Sequence, residues 1–265
     1  MSPTEGPALL AVRGLTKRYF GLTAVDALSF SVPGGRIVGL IGPNGSGKST
    51  TLDCISGFAR PDRGEWLLEG RNLAGLPAYR HALAGLTRTF QDVRAYDELT
   101  LIDNLLVAAQ EHDGRGWWDA FTASPALRRA EAAAAARGAE LLSLVGLDKH
   151  ADAPAAILSY GERKLLAIAA ALMPRPRLIM LDEPVAGVNP RMIERVADII
   201  RRINGEGIAL IIVEHNIDFI MSLCQHVIVL EQGRKIAEGA PPDLRNDPRV
   251  LAAYIGTAQT SAGNG

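Results

Sequence analysis

The sequence predicts an α/β protein with a largely parallel sheet, an antiparallel β region and an inserted α-helical subdomain. Short continuous apolar runs bounded by turn residues are typical of strands buried on both faces. They occur at 37–41, 178–182 and 208–213. Residues 8–15 and 28–32 instead alternate apolar with polar side chains, which predicts half-buried strands. Between residues 92 and 165 apolar residues recur at helical spacing, which predicts a helical insertion.

Composition narrows the classes of function. Of the 265 residues, 48% are hydrophobic and 22% are charged, which is an ordinary globular balance. The net charge of −1 gives no electrostatic basis for a nucleic-acid partner, so none is expected. The two cysteines, Cys54 and Cys224, suit a reducing compartment and lack the spacing of metal ligands.

The sequence gives no pattern for membrane insertion. Residues 1–14 are not expected to form a signal peptide, because they lack a basic region followed by an apolar core. No uninterrupted apolar run approaches the ~18 residues needed to span a bilayer. Any membrane role is therefore expected to go through another protein.

The N-terminal strands, predicted at 8–15 and 28–32, are separated by a segment that contains Tyr19. An aromatic ring at this place suits stacking on an adenine, and it equally suits packing against a neighbouring strand at the sheet edge. The spacing alone favours packing at the edge.

Residues 42–50 read GPNGSGKST and match the phosphate-loop pattern G-x-x-x-x-G-K-[ST]. The buried run 37–41 predicts a strand before the loop, and residues 49–56 predict a helix that ends at Gly57. Backbone N–H groups and the positive end of the helix dipole would then face a polyphosphate. Lys48 would reach the β- and γ-phosphates, and the Ser49 hydroxyl would bind Mg²⁺. The strand and helix disfavour the alternative, a glycine-rich turn with a solvated lysine.

The sequence therefore predicts a site for a nucleoside triphosphate. The loop residues expected to form it are Gly42, Asn44, Gly45, Ser46, Gly47, Lys48, Ser49 and Thr50.

After the loop, residues 65–70 predict a strand with a reverse turn, and residues 86–92 are expected to close the first sheet region. Gln91 at its end is a candidate to orient a water molecule or Mg²⁺, although a glutamine in a loop is usually plain polar surface. Helices are predicted at 99–109 and 126–145. Trp117 and Trp118 between them are interpreted either as a contact surface or as ordinary packing.

The domain organisation follows from these elements. Residues 1–91 and 166–256 are predicted to form one α/β core, and residues 92–165 a helical subdomain. Residues 257–265 are expected to be a disordered tail.

Ser159 and Glu162 have the S-x-x-E spacing of a capping box ahead of a helix at 163–173. Capping explains both residues completely. The same helix N-terminus, with Gly161 beside it, is also a second potential phosphate site.

Two carboxylates, Asp182 and Glu183, end the buried strand at 178–182. Ligands of open α/β sheets collect at the carboxyl ends of strands, so these acids are expected near the phosphate loop. The alternative is an N-cap or turn pair. The strand at 208–213 likewise leads to His215, and a lone histidine at a strand end is more often structural. Asn189 and Pro190 predict a helix start, followed by a hairpin at 227–237 and a helix at 243–255.

Taken in this order, residues 9–256 resemble the ATP-binding subunit of an ABC transporter, whose core is a RecA-like P-loop NTPase fold. The resemblance implies ATP and Mg²⁺ as ligands. It implies that Tyr19 stacks on adenine, that Gln91 is the Q-loop glutamine and that Ser159 and Gly161 belong to the signature motif. It also implies that Asp182 acts on Mg²⁺ through water, that Glu183 polarises the attacking water and that His215 contacts the γ-phosphate.

Finer stretches resemble the branched-chain amino acid (LIV-type) importer branch, although urea and amide importers share most of them. They are RTFQ at 88–91, EPVAGVNP at 183–190, VEHN at 213–216 and AYIG at 253–256. Two residues depart from the signature pattern of glycine and glutamine, namely Tyr160 and Glu162. A carboxylate is unfavourable beside phosphate, so Glu162 is expected to cap the helix.

The resemblance also implies partners. These are transmembrane permease subunits, a second ATP-binding subunit in a head-to-tail dimer and, indirectly, a substrate-binding protein. The implied location is the cytoplasmic face of the inner membrane. A soluble ABC ATPase remains an alternative, whereas a DNA-repair or translation ATPase is disfavoured because the chain lacks a basic stripe and a second cassette.

Overall fold

The computed structural model describes residues 8–90, 95–109 and 125–261. Gln91, Trp117 and Trp118, which the sequence analysis singles out, lie outside this part of the chain. The described residues form two β-sheets and helices on both sides of the larger sheet, as the sequence predicts.

The smaller sheet has four antiparallel strands in the order β2-β1-β4-β5. Its strands are β1 (Ala8–Tyr19), β2 (Leu22–Pro33), β4 (Arg63–Leu68) and β5 (Arg71–Asn72). The first two strands are longer than the sequence predicts, because they continue to a tight turn at Phe20 and Gly21 with φ angles of 46° and 91°. Tyr19 is therefore the last residue of a strand and pairs with Leu22.

The larger sheet has six strands in the order β10-β9-β3-β8-β7-β6. They are β3 (Ile37–Ile41), β6 (Leu86–Arg88), β7 (Leu178–Asp182), β8 (Ala209–Val213), β9 (His226–Glu231) and β10 (Arg234–Gly239). All neighbours are parallel except β9 and β10, which form the predicted hairpin.

One strand assignment from the sequence is wrong. Residues 86–92 were expected to close the first sheet region, but Leu86–Arg88 pairs in parallel with β7 at the edge of the larger sheet. The physical reason is burial against a helix of distant sequence: Leu86 and Thr87 are buried, and the Thr87 hydroxyl donates to the Ala171 carbonyl.

The helices are α1 (Lys48–Ile55), α2 (Ala78–Leu83), α3 (Leu101–Ala108), α4 (Pro125–Val145), α5 (Tyr160–Leu172), α6 (Pro190–Gly205), α7 (Ile217–Leu223), α8 (Pro241–Leu244) and α9 (Pro248–Ser261). Helices α3, α4 and α5 pack together as the predicted helical insertion. The predicted domain boundary at 165/166 falls inside α5, so this helix is shared between the insertion and the core.

The C-terminal helix differs from the prediction in two ways. The single helix expected at 243–255 is divided into α8 and α9, because the chain turns at Asp247 and restarts with a proline at the first helical position. Helix α9 then runs to Ser261, into the segment 257–265 for which disorder is predicted. The rest of that segment lies outside the described residues.

The hydrophobic core has two parts, one on each face of the six-stranded sheet. Strand β3 shows why: Ile37 and Ile41 face the cluster with the helical insertion, while Val38 and Leu40 face the cluster with the antiparallel sheet. A strand buried on both faces must be apolar throughout. Among the described residues, no helix has the length and apolar character to cross a bilayer.

Candidate nucleotide site

The phosphate loop connects β3 to α1 at the carboxyl edge of the parallel sheet. Two of its glycines cannot be replaced by a larger residue, because a side chain there would clash with neighbouring backbone. A Cβ on Gly42, at φ 151°, would lie 2.1 Å from the Leu230 carbonyl oxygen, and one on Gly47, at φ 97°, would lie 2.4 Å from the Ala24 carbonyl oxygen. Only glycine fits at these two positions, so the loop backbone can pass close to the backbone of Leu230 and Ala24.

Lys48 is buried, and its Nζ donates to the carbonyls of Gly42 at 2.7 Å and Pro43 at 3.0 Å. Burial lowers the pKa of this lysine, whereas the nearby carboxylates of Glu183 and Asp182 oppose that shift. The two acids are therefore close enough to Lys48 to act on its charge.

The remaining loop residues fit a magnesium–nucleotide ligand. The Ser46 hydroxyl is buried, with no hydrogen-bond partner among the described residues. Ser49 is exposed in the first turn of α1, while Asn44 and Gly45 form the exposed rim and Thr50 is half-buried. A glycine cradle, helix-start amides, a lysine and free hydroxyls are the donors that a polyphosphate requires.

Asp182 ends β7 and is buried. Its Oδ2 accepts a hydrogen bond of 2.8 Å from Nη2 of Arg88, whose Nη1 donates at 2.5 Å to Oδ1 of Asp53 on α1. Arg88 thus joins the acidic strand to the phosphate-loop helix. This role was not predicted from the sequence, although Arg88 begins the RTFQ stretch at 88–91.

Glu183 and His215 are brought together from two neighbouring strands. The Glu183 Oε1 lies 3.0 Å from Nε2 of His215, with side-chain exposures of 15% and 42%. The backbone of Glu183 has a φ of 51°, in the left-handed region, and its N–H donates to the Val213 carbonyl at 2.9 Å. An outlier of this kind has to be held by its surroundings and is typical of functional sites.

The predicted capping box is confirmed at the start of α5. The Ser159 Oγ accepts from the Glu162 N–H, and the Ser159 N–H donates to Glu162 Oε2 at 3.0 Å. The Ser159 hydroxyl also donates to Glu162 Oε2 at 2.6 Å. This hydrogen bond, followed by the one from the Ser159 N–H, lowers the pKa of the Glu162 carboxyl. Hydrogen bonding within the described residues does not connect Ser159 or Gly161 to the phosphate loop of the same chain.

Tyr19 lies at the edge of the antiparallel sheet and is 39% exposed. The Lys17 Nζ sits 4.7 Å from its ring centroid, and partial burial raises the pKa of its hydroxyl. This placement suits either of the two interpretations from the sequence. Gln91 cannot be placed, since it lies outside the described residues.

Tyr254 is a further residue that the sequence analysis gave no role at this site. It is contributed by α9, and burial raises the pKa of its hydroxyl to about 12, while the Gly42 backbone acts in the opposite direction. The C-terminal helix thus reaches the back of the phosphate loop. The AYIG stretch at 253–256, which contains Tyr254, was the sequence feature that could have indicated this role.

Comparison with known proteins decides the family. The sequence model described as ABC transporter matches residues 25–186. The chain belongs to the ABC transporter family. A second model, described as branched-chain amino acid ATP-binding cassette transporter, matches residues 234–259, which include α9 as far as residue 259.

This ABC protein is similar to named relatives over nearly its full length. It is 39% identical to the high-affinity branched-chain amino acid transport ATP-binding protein BraF of Pseudomonas aeruginosa, over 94% of this chain and 98% of BraF. Identity and coverage are the same for LivG of Escherichia coli strain K12. It is also 33% identical to the lipopolysaccharide export ATP-binding protein LptB of Acidithiobacillus ferridurans, over 94% and 97%.

Solved structures of ATP-binding cassettes share the fold of this ABC protein. A nucleotide-free cassette superposes with a TM-score of 0.82 at 29% identity, covering 94% of this chain and 99% of that chain. A cassette in its ADP conformation gives the same values. The RecA-like P-loop core with an antiparallel region and a helical insertion is therefore confirmed, and the protein is an ABC-type ATPase that binds nucleotide.

Proposed function

We propose that this ABC ATPase is the motor subunit of an importer for branched-chain or related amino acids. Two findings support this substrate class. Residues 234–259 match the branched-chain amino acid model, and the chain aligns with BraF and LivG over nearly its full length. In this proposal the protein works at the cytoplasmic face of the inner membrane.

The geometry supports a division of roles within one site. Lys48 and the loop amides neutralise the phosphates of ATP, and Ser49 with Asp182 (through water) would hold Mg²⁺. The metal, when bound, supplies further neutralisation of phosphate charge. Glu183 orients the attacking water or accepts a proton from it. His215 lies beside Glu183 and contacts the γ-phosphate. Gln91 transmits changes at this nucleotide site to the membrane permease.

The second half of the site comes from another subunit in this proposal. Ser159 is exposed at the N-terminus of α5, where backbone N–H groups and the helix dipole attract anions. It has no hydrogen bond to its own phosphate loop within the described residues. Ser159 and Gly161 therefore suit the nucleotide of a facing ATP-binding subunit, and ATP would hold that dimer together.

An apolar groove beside β6 is the proposed permease contact. It has a volume of about 390 Å³ and is lined mainly by apolar side chains from α2, β6, α3, α5 and the segment after α1. Phe58 and Phe90 meet edge-on at 4.9 Å in its wall and are 58% and 42% exposed. Exposed aromatic rings in a groove are typical of contact surfaces, and Phe90 in the wall of this groove immediately precedes Gln91 in the sequence.

The experiment is purification of the intact complex, followed by ATP turnover with candidate substrate-binding proteins. Stimulation by a binding protein loaded with leucine, isoleucine or valine supports the proposal. Stimulation by a urea- or amide-loaded protein would reassign the substrate. The similarity to LptB makes lipopolysaccharide export the second candidate, and co-purification with lipopolysaccharide instead of an amino-acid permease would favour it. A protein that stays free of membranes in its native cells would favour a soluble ABC ATPase.

A further inference from the structure

Two buried charged residues beside the proposed hydrolytic centre have no role in the scheme above. Lys164 on α5 is 4% exposed, and Glu214 at the end of β8 is 3% exposed. Burying a charge is costly unless the surrounding groups hydrogen-bond to it. The contacts of these two side chains therefore show what each of them holds.

Glu214 joins two loops of the site. Its Oε1 accepts from the Val185 N–H at 2.7 Å, and its Oε2 accepts from the His215 N–H at 3.0 Å and, at 3.4 Å, from the N–H of Asn216. Val185 follows Glu183 closely in sequence. A single carboxylate thus fixes the backbone after Glu183 to the backbone of His215, and the contact of 3.0 Å between Glu183 and His215 depends on that spacing.

Lys164 holds Glu183 from the other side. Its Nζ donates at 2.5 Å to the main-chain carbonyl of Glu183, the residue whose φ of 51° needs external support. Burial lowers the pKa of Lys164, while the carboxylates of Glu214, Glu183 and Asp182 oppose that shift. The hydrogen bond to the Glu183 carbonyl therefore places the ammonium group within electrostatic range of these three acids.

We propose that Lys164 and Glu214 are positioning residues that set the Glu183 carboxylate against His215 and link α5 to the hydrolytic site of the same chain. The inference rests on the proposed function, since it assigns Glu183 to hydrolysis. In the proposed dimer the start of α5 faces the partner's nucleotide. Because Lys164 lies on the same helix, a shift of α5 reaches Glu183 through one hydrogen bond. Each signature helix then acts on two sites, the partner's phosphates and its own Glu183.

The test compares the purified full chain with Lys164→Met, which keeps the aliphatic stem, Lys164→Arg, which keeps the charge, and the near-isosteric Glu214→Gln. We expect Lys164→Met and Glu214→Gln to lower kcat at least about 10-fold while the Kd for ATP changes less than about twofold. We expect Lys164→Arg to recover most of the activity. Lys149→Met, at an exposed position of the helical insertion, is the matched control and should behave as wild type.

A merely structural role is separated by two further readouts. Thermal midpoints identify any variant that loses activity by unfolding, and Glu214→Gln carries the test if Lys164→Met does not fold. In a Glu183→Gln background, Lys164→Met should lower the residual turnover no further, because the carboxylate that it positions is already gone. A kcat within twofold of wild type for the folded variants would overturn the proposal. Absence of turnover in the wild-type chain would instead contradict the proposed function, and this inference would fail with it.

Discussion

The Oε1 of Glu183 lies 3.0 Å from the Nε2 of His215, although the two residues come from the ends of different strands and are 32 positions apart. The parallel pairing of β7 with β8 brings them together, because Asp182 is in register with Val213. The Glu183 carboxylate is also close enough to Lys48 of the phosphate loop to oppose the lowering of that lysine's pKa by burial. The arrangement of the site therefore depends on the order of the strands as much as on the sequence motifs.

Substituting His215 by alanine should slow ATP turnover about 10- to 100-fold, because it removes the side chain that contacts Glu183 and that we propose contacts the γ-phosphate. ATP affinity should change little, since the phosphate loop is intact. Steady-state kinetics and a binding isotherm measure the two effects. His150→Ala, at an exposed site, is the control. Unchanged turnover in the His215 variant would remove this residue from the mechanism.

Lys48→Ala should lose affinity for ATP itself, because the buried cation of the phosphate loop is removed. We expect the Kd to rise at least about 10-fold, as for the loss of a charge-assisted contact to phosphate. Isothermal titration with ATP measures it, and Lys149→Ala serves as the matched exposed control. An unchanged isotherm would count against the whole site.

Arg88→Met should destabilise the fold by about 3 kcal/mol, because it leaves the buried carboxylate of Asp182 without its partner. It should also raise the Mg²⁺ concentration needed for turnover, since Asp182 loses the group that orients it. Denaturant unfolding and a magnesium titration measure the two effects. Arg13→Met is the control, because its pair with Glu65 is exposed and screened by solvent. Equal stability of both variants would contradict the role of Arg88.

Neither cysteine should react with a thiol reagent in the folded protein. Burial raises the pKa of Cys54 to about 11 and that of Cys224 to about 12. At pH 8 only on the order of one Cys54 thiol in a thousand is then ionised, and the thiolate is the reactive form. A thiol-reactive dye should label both residues in guanidinium chloride and neither in native buffer. Rapid labelling of the native chain would show that one of them is accessible.

The sequence was sufficient where local pattern decides the structure. The strand Ile37–Ile41 was predicted with its observed bounds, and the capping box of Ser159 has the predicted contacts. Prediction from the sequence failed where the structure depends on pairing between strands that are far apart in the chain. Leu86–Arg88 belongs to the larger sheet because it pairs with Leu178–Asp182, which follows some ninety residues later in the chain. The link from Arg88 to Asp182 is invisible without that pairing.

The buried pair of Lys164 and Glu214 was missed for the same reason. In the sequence Lys164 reads as an ordinary polar position of an amphipathic helix, and Glu214 as one member of a polar strand end. Their burial arises only when α5 packs over the ends of β7 and β8. The split of the C-terminal helix at Asp247 was in principle readable, because Pro248 marks a helix start.

The central claim is that Glu183 drives hydrolysis in a site completed by a second subunit. Its most direct test is Glu183→Gln with ATP and Mg²⁺, analysed by size-exclusion chromatography with simultaneous measurement of phosphate release. Glu206→Gln, at an exposed position, is the control. We expect binding to persist, turnover to fall at least about 100-fold and an ATP-bound dimer to accumulate. Turnover at the wild-type rate, or a variant that remains monomeric with ATP bound, would contradict the account.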